Sequence, residues 1–287
     1  MASGVNRTQA LFDKIQRISR STSGAKPEIV HQLRTTIRRI EALLAATWPE
    51  PQRKDEKLLK QFERLRRRAG KVRDLDVQIV ALESLRLESI TRDRARVMGF
   101  LEKARAKREK KLVKLFENEV DAGLHKRLKR TAVRLQQELS KSRTDAAEGR
   151  FLPVALDRFA EVVKQHQTLN ETNLHQFRME CKRARYLAEM AGDGSRATAV
   201  IEQLKRIQDA IGTWHDWLTL TATAETVLAR AGEAPLLSAL RAGTRSKYLE
   251  ALRITADAKR TLLEMRESRP TVFAAPPAPV AAKAAIA

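Results

Sequence analysis

The stretch VHQLRTTIRRIEALL, residues 30–44, places one histidine and three arginines within nine residues, separated by apolar side chains. At about 100° per residue, a helix puts His31, Arg34 and Arg38 within about 60° of one another. The opposite side of that helix is apolar and contains Leu33, Ile37, Ile40 and Leu44. The stretch therefore predicts an amphipathic helix with an apolar back and a cationic front.

The same pattern returns in LHQFRMECKRARYLAEM, residues 174–190. The two stretches align at an offset of 144 residues, which pairs His31 with His175, Arg34 with Arg178, Arg38 with Lys182, and Arg39 with Arg183. A second motif follows each, LRRRAGKVRDLDV at 65–77 and IQDAIGTWHDWLT at 207–219, at an offset of 142 residues. This motif pairs Gly70 with Gly212, Arg73 with His215, and Asp74 with Asp216. Two motifs in the same order at nearly the same spacing indicate an internal duplication.

The chain is predicted to be helical almost throughout, because its 287 residues include only 11 glycines and 9 prolines. The predicted helices are 6–20, 27–46, 52–69, 72–88, 91–120, 122–141, 151–167, 171–191, 197–211, 214–231 and 234–266. The polar stretch 140–150 is expected to connect two helical halves, residues 1–143 and 144–269. Residues 270–287 are rich in alanine and proline, and we expect a disordered tail there.

The composition indicates a polyanionic partner. The chain has 56 Lys and Arg against 35 Asp and Glu, a formal net charge of +21, while its apolar fraction of 43% is ordinary. Such a surface repels itself unless a phosphate polymer, nucleic acid or an anionic surface neutralises it. The single cysteine, Cys181, excludes an internal disulfide and fits a reducing cytoplasm. Neither a signal peptide nor a membrane span is expected.

Two interpretations of the cationic faces compete. The simpler one is that each face is the solvated side of an amphipathic helix. Against it, the faces carry almost no acidic residue to pair with the arginines, they include histidine, and they recur at the same spacing. If the two halves face each other, both faces line one basic central groove, where arginine can bind two phosphate oxygens at once. His31 and His175 would then make binding stronger as the pH falls through about 6.5.

The duplicated motifs resemble the CHAD domain, a histidine-bearing α-helical domain, over residues 25–266. The resemblance implies two four-helix-bundle-like halves related by a pseudo-twofold axis around a basic central groove. It also implies non-catalytic binding of inorganic polyphosphate, with association to polyphosphate granules. The predicted polyphosphate-binding residues are His31, Arg34, Arg38, Arg39, Arg66, Arg73, His175, Arg178, Lys182, Arg183, Arg185, Tyr186, Lys205 and His215. Among them Arg66 is added because it faces the same way as Arg73, two helical turns earlier. His215 departs from the family pattern, which usually has asparagine there, and adds either a phosphate contact or a cap.

Two other functions stay open. Net charge supports nucleic-acid binding equally well, although stacking aromatics are few and no helix-turn-helix or zinc signature appears. A Mg²⁺-dependent phosphoanhydride hydrolase would need a carboxylate cluster, for which Asp74, Asp76 and Asp216 are the candidates. Asp74 and Asp216 are instead expected to cap helices that restart after breaks at Gly70 and Gly212, with orientation of a nearby arginine as the second interpretation. We therefore predict no catalytic residue, cofactor or metal ligand, and leave the oligomeric state open.

Overall fold

The structure is a computed structural model that describes residues 4–20, 26–48, 53–85, 91–141, 146–192, 194–229 and 235–268. Those residues form nine α-helices and no strand, which confirms the predicted all-α class. The helices are α1 (Gly4–Arg20), α2 (Pro27–Thr47), α3 (Arg53–Glu83), α4 (Thr91–Glu119), α5 (Ala122–Lys141), α6 (Ala146–Gln165), α7 (Leu174–Met190), α8 (Ser195–Leu228) and α9 (Pro235–Glu267). None of these helices is both long enough and apolar enough to cross a membrane. The predicted tail, 270–287, lies outside the described residues.

The predicted helix breaks at the two motif glycines are wrong. The sequence predicts four shorter helices, 52–69, 72–88, 197–211 and 214–231, where the structure has only α3 and α8. Glycine inside a helix costs only about 1 kcal/mol relative to alanine. Because Gly70 and Gly212 are both buried, packing along the whole length of each helix outweighs that cost. The second motif of each half therefore lies within one long, continuous helix.

Three clusters of buried apolar side chains hold the described helices together. One includes Phe62 and joins α1, α2 and α5 to parts of α3 and α4. A second includes Phe177 and Trp214 and joins α6 and α7 to parts of α8 and α9. The third includes Leu82 and Leu220 and joins the C-terminal parts of α3 and α8 to α4 and α9. The third core is thus shared between the two predicted halves, whose boundary and pseudo-twofold axis stay predictions.

The motif-bearing helices contact one another across the two halves. α2 packs against α7, and α3 packs against α8. Between α2 and α7, Nε of Arg39 lies 3.3 Å from a carboxylate oxygen of Glu189. Between α3 and α8, the Thr223 hydroxyl donates a hydrogen bond of 2.9 Å to the amide oxygen of Gln78. These helix pairs place the cationic faces of the two halves next to each other.

Candidate polyanion-binding site

Four helices bring cationic side chains from both halves into one region. In α2, Leu33 and Ile37 are buried in the core, and in α7 Phe177 and Cys181 are buried, so the basic positions of both helices point the other way. We call the resulting set the cationic cluster, and its members are His31, Arg34, Arg38, Arg73, His175, Arg178, Lys182, Arg185 and His215. Charges on α2 act on groups on α7, so the cluster spans both halves.

Arg34 lies against α3. Its Nη1 is 3.6 Å from Oδ1 of Asp74, and its Nε is 3.9 Å from where a Cβ would stand at Gly70. Burial and the positive charge of Arg38 lower the pKa of Arg34 to about 10, while the carboxylate of Asp74 acts in the opposite direction. Arg178, from the other half, lowers the pKa of Arg34 further. The two arginines therefore repel each other across the contact between the halves.

Arg178 has a similar arrangement on α8. Its Nε donates a hydrogen bond of 2.9 Å to the carbonyl oxygen of Gln208. A Cβ at Gly212 would stand only 2.6 Å from Nη2 and 3.2 Å from Cζ of this guanidinium. Burial lowers the pKa of Arg178, Asp216 raises it, and Arg38 lowers it. The close approach of Arg178 to α8 thus requires glycine at position 212.

Asp74 and Asp216 lie inside α3 and α8, so the prediction that they cap helices is wrong. Each follows its motif glycine by four residues, about one helical turn, and so lies beside the arginine that crosses that glycine. Asp74 pairs with Arg34, and the charge of Asp216 acts on Arg178. Burial raises the pKa of Asp216, while Arg178 lowers it. The geometry supports the second interpretation, in which these aspartates orient arginines.

The three histidines of the cluster differ in exposure, since His31 and His175 are exposed and His215 is half-buried. The rings of His175 and His215 stack with centroids 4.4 Å apart and an interplanar angle of 33°. Burial lowers the pKa of His31, His175 and His215 from 6.5, and nearby cations, such as Arg73 at His31, lower it further. In the free protein the pKa of each of these histidines therefore lies below the ordinary value of about 6.5 on which the expected pH dependence rests.

Lys182 is the one member of the cluster that is buried, with 8% of its surface exposed. Its Nζ lies 3.9 Å from the sulfur of Met179, and none of the ion pairs among the described residues includes it. Burial, followed by the charges of Arg178, Arg38 and Arg34, lowers the pKa of Lys182 from 10.5 to about 6. Sequence reasoning treats Lys182 as one more charged contact and misses this enclosure, because its helical position gives no sign of it.

Comparison with known proteins establishes the family. The CHAD domain family model matches residues 7–225. The chain belongs to the CHAD domain family. A crystal structure of the CHAD domain from the plant Ricinus communis matches with a TM-score of 0.63 and 17% sequence identity, over 93% of this chain and 91% of that one. At this identity the likeness is one of fold. No curated protein matches the chain.

Glu189 is a residue of this CHAD domain that sequence reasoning misses. It contacts Arg39 of α2 at 3.3 Å and Arg185 of its own helix at 3.5 Å, and so links the two halves at the edge of the cationic cluster. The guanidinium of Arg185 also lies over the ring of Tyr186, 5.2 Å from its centroid. The spacing of Arg185 and Glu189 indicates a pair within one helix, but nothing in the sequence indicates the bond to α2.

The other predicted site residues are not members of the cationic cluster. Nε of Arg66 is 3.0 Å from a carboxylate oxygen of Glu41, so Arg66 joins α3 to α2. Burial raises the pKa of Glu41, and Arg66 lowers it. Arg183 and Lys205 are exposed, and within the described ranges no ion pair or hydrogen bond joins either to the cluster. The structure therefore brings only part of the predicted set together.

The three aspartates considered for Mg²⁺ do not form one set. Asp76 is buried and its Oδ1 accepts a hydrogen bond of 2.6 Å from Nε of Arg105, on α4. Asp74 and Asp216 instead lie beside cluster arginines. In the part of the chain that the structure describes, no group of three or more His, Cys, Asp or Glu side chains is arranged to hold a metal ion. Among the described residues, Asp74, Asp76 and Asp216 therefore do not form the shared site for Mg²⁺ that the hydrolase hypothesis considers.

Proposed function

We propose that this CHAD domain binds inorganic polyphosphate through the cationic cluster, without catalysis. The observation that carries the proposal is the convergence of Arg34 and Arg38 from α2 with Arg178 and Lys182 from α7. Burial and mutual repulsion make these charges unfavourable to hold together, as the lowered pKa of Arg34 records. A polyanion in this region would offset that cost by placing negative oxygens among the cations.

The spread of the cations over several helices favours a chain of phosphates over a single one. Arginine binds two phosphate oxygens through its planar fork, while lysine acts as a point charge. A linear polymer offers oxygens at every unit and can reach cations on α2, α3, α7 and α8 together. A single phosphate would contact only a few of them. The aromatic content of 5% gives little support to nucleic-acid binding by base stacking.

The carboxylates of the cluster support a binding role. A hydrolase would need a carboxylate free to act as a base or to hold a metal ion. Asp74 is held beside Arg34, and Asp216 beside Arg178, where each orients an arginine. The same proposal places the protein in the cytoplasm on polyphosphate granules, since a long phosphate polymer would retain a protein with a charge of +21.

A competition titration at about 0.15 M salt tests the proposal. Labelled long-chain polyphosphate is displaced by unlabelled polyphosphate, triphosphate, duplex DNA and single-stranded RNA. The cluster variant is Arg34→Gln/Arg178→Gln. The matched control is Lys107→Gln/Lys110→Gln, which removes the same formal charge from exposed positions of α4. A hydrogen bond to a charged group contributes about 1.5–3 kcal/mol, so the cluster variant should raise Kd by about 100-fold or more.

The expected result is selective displacement by polyphosphate, together with a much larger loss of affinity in the cluster variant than in its control. Equal losses in the two variants would show that the net charge acts diffusely and would contradict the proposal. Stronger displacement by duplex DNA or RNA, at matched charge, would favour a nucleic-acid-binding protein instead.

A further inference from the structure

Lys182 is a buried lysine that forms no ion pair with any described residue. Its surface is 8% exposed, and its Nζ has the Met179 sulfur at 3.9 Å. A buried ammonium is normally paired with a carboxylate, because an isolated charge in a protein interior is strongly unfavourable. No carboxylate in the described part of the chain forms an ion pair with Lys182. Its surroundings therefore favour the neutral amine.

The helices packed against Lys182 supply cations and imidazoles. Lys182 interacts electrostatically with Arg34 and Arg38 from α2, with His175, Arg178 and Arg185 from α7, and with His215 from α8. Two carboxylates of α7 and α8 act on other members of the cluster, since Asp216 acts on Arg178 and Glu189 pairs with Arg185. On α6, two carboxylates have ion-pair partners, Asp157 with Arg266 and Glu161 with Lys164.

We infer that Lys182 is an uncharged amine in the free protein and takes up a proton when polyphosphate binds the cationic cluster. The coupling rests on the proposed function, whereas the neutral amine of the free protein does not. Phosphate oxygens would neutralise the guanidinium groups that oppose the ammonium, and would also accept its hydrogen bonds. The proton comes from the solvent buffer, and no covalent bond to the ligand forms. A pKa of Lys182 near 6 in the free protein is consistent with this state.

Proton uptake makes affinity depend on pH in a defined direction. Between the pKa of the free site, about 6, and the higher pKa of the occupied site, binding takes up one proton and weakens as the pH rises. The dependence approaches about tenfold in Kd per pH unit within that range. Proton uptake by Lys182 also favours ligands of high charge. A ligand with few negative oxygens would leave most of the arginine charge unneutralised, and the repulsion from the arginines would keep Lys182 uncharged.

The first measurement concerns the free protein alone. Nuclear magnetic resonance with ¹³C-labelled lysine should show one lysine titrating near pH 6, and this signal should be absent from Lys182→Met. Methionine keeps an unbranched side chain that is one atom shorter than lysine, and it removes the amine. A wild-type protein in which every lysine titrates near 10 would overturn the inference, whether or not polyphosphate binds.

The second measurement is calorimetric titration of the full chain with long-chain polyphosphate at about pH 8, above the ordinary range of histidine. Binding heats in two buffers of different ionisation enthalpy give the number of protons taken up. We expect about one for the wild type and for the exposed control Lys107→Met, and none for Lys182→Met. Tight wild-type binding with no proton uptake would overturn the inference and leave the proposed function standing. Absence of binding, with a lysine that still titrates near 6, would overturn the coupling and the proposed function but not the neutral amine.

Discussion

Replacing Gly212 by alanine tests whether the position of Arg178 sets the affinity for polyphosphate. The new Cβ would stand 2.6 Å from Nη2 and 3.2 Å from Cζ of Arg178, which is too close for either atom to stay in place. Because this guanidinium is the far end of a flexible side chain, we expect it to move while the helices keep their positions. The hydrogen bond from its Nε to the carbonyl oxygen of Gln208 would then be lost.

The displaced guanidinium sets the expected size of the effect. A hydrogen bond from a charged donor is worth about 1.5–3 kcal/mol, so losing the contact of Arg178 with phosphate should raise Kd about 10- to 100-fold. Stability should change less. Alanine stabilises a helix interior by about 1 kcal/mol relative to glycine, and this gain offsets part of the lost bond to Gln208, which leaves a net loss of about 0.5–2 kcal/mol. Gly212→Ala should therefore remain folded and bind weakly.

Gly70→Ala is the matched control, because the equivalent Cβ would come no closer than 3.9 Å to Arg34. It should bind normally and raise the free energy of unfolding by about 1 kcal/mol. Fluorescence anisotropy with labelled long-chain polyphosphate measures Kd, and urea denaturation measures stability. In an Arg178→Gln background, Gly212→Ala should weaken binding no further, because both changes remove the same contact. An unchanged Kd for Gly212→Ala, or a full additional loss in that background, would refute the reasoning.

Three further predictions concern stability. Between pH 6 and 10 the unfolded chain holds a proton at Lys182 that the folded chain lacks, so the free energy of unfolding should rise by about 1.4 kcal/mol per pH unit. Urea denaturation of Lys182→Met should lack this rise. Parallel pH profiles of wild type and variant would contradict the prediction. Gly243→Ala would place a Cβ against the ring of Trp217, so it should lower the stability measured by thermal unfolding by about 1–3 kcal/mol, and adding Trp217→Phe should restore part of the loss. An unchanged Tm for Gly243→Ala would contradict this prediction. Arg105→Met would leave the buried carboxylate of Asp76 unpaired and should lower the free energy of unfolding by about 3–5 kcal/mol. Adding Asp76→Asn should restore part of this loss. If the double variant is as unstable as Arg105→Met, the loss does not come from the unpaired carboxylate.

The helices of the first motif could be predicted from sequence because their periodicity records which side is buried. Residues 27–46 were predicted as helical, and α2 spans Pro27–Thr47 with Leu33, Ile37 and Ile40 in the core. An apolar stripe of that spacing has few alternatives to an amphipathic helix. The cationic front follows from the same pattern, so the direction of His31 and Arg34 away from the core was also predictable.

The motif glycines show where local reasoning fails. A glycine followed four residues later by an aspartate reads as a helix break with a cap, since glycine lowers helix propensity and aspartate is a favoured cap. In the structure Gly70 and Gly212 instead let an arginine from a neighbouring helix lie close to the backbone. That role depends on a side chain 34 to 36 residues away in sequence, from Arg34 to Gly70 and from Arg178 to Gly212, so no window of local sequence contains it.

Burial of Lys182 was beyond sequence reasoning for a related reason. A helical wheel places it with Arg178 on the same face and assigns both the same exposure. Its enclosure comes from α2 and α8, which pack against α7 and bring Arg34, Arg38 and His215 near it. The repeat aligns Lys182 with Arg38 and indicates a shared role, but it carries no information on how closely other helices approach each position.

The contacts that fold the chain and the charges proposed to bind polyphosphate lie in different places. The apolar core shared by the two halves lies toward the C-terminal parts of α3 and α8, around Leu82 and Leu220, and the ion pair of Arg39 with Glu189 lies at the edge of the cationic cluster. Within the cluster, burial and repulsion act against folding, as the lowered pKa values of Arg34 and Lys182 record. A region that opposes folding persists only when the surrounding structure holds it in place. The proposed binding of a polyanion would account for a cluster whose burial and repulsion do not stabilise the fold.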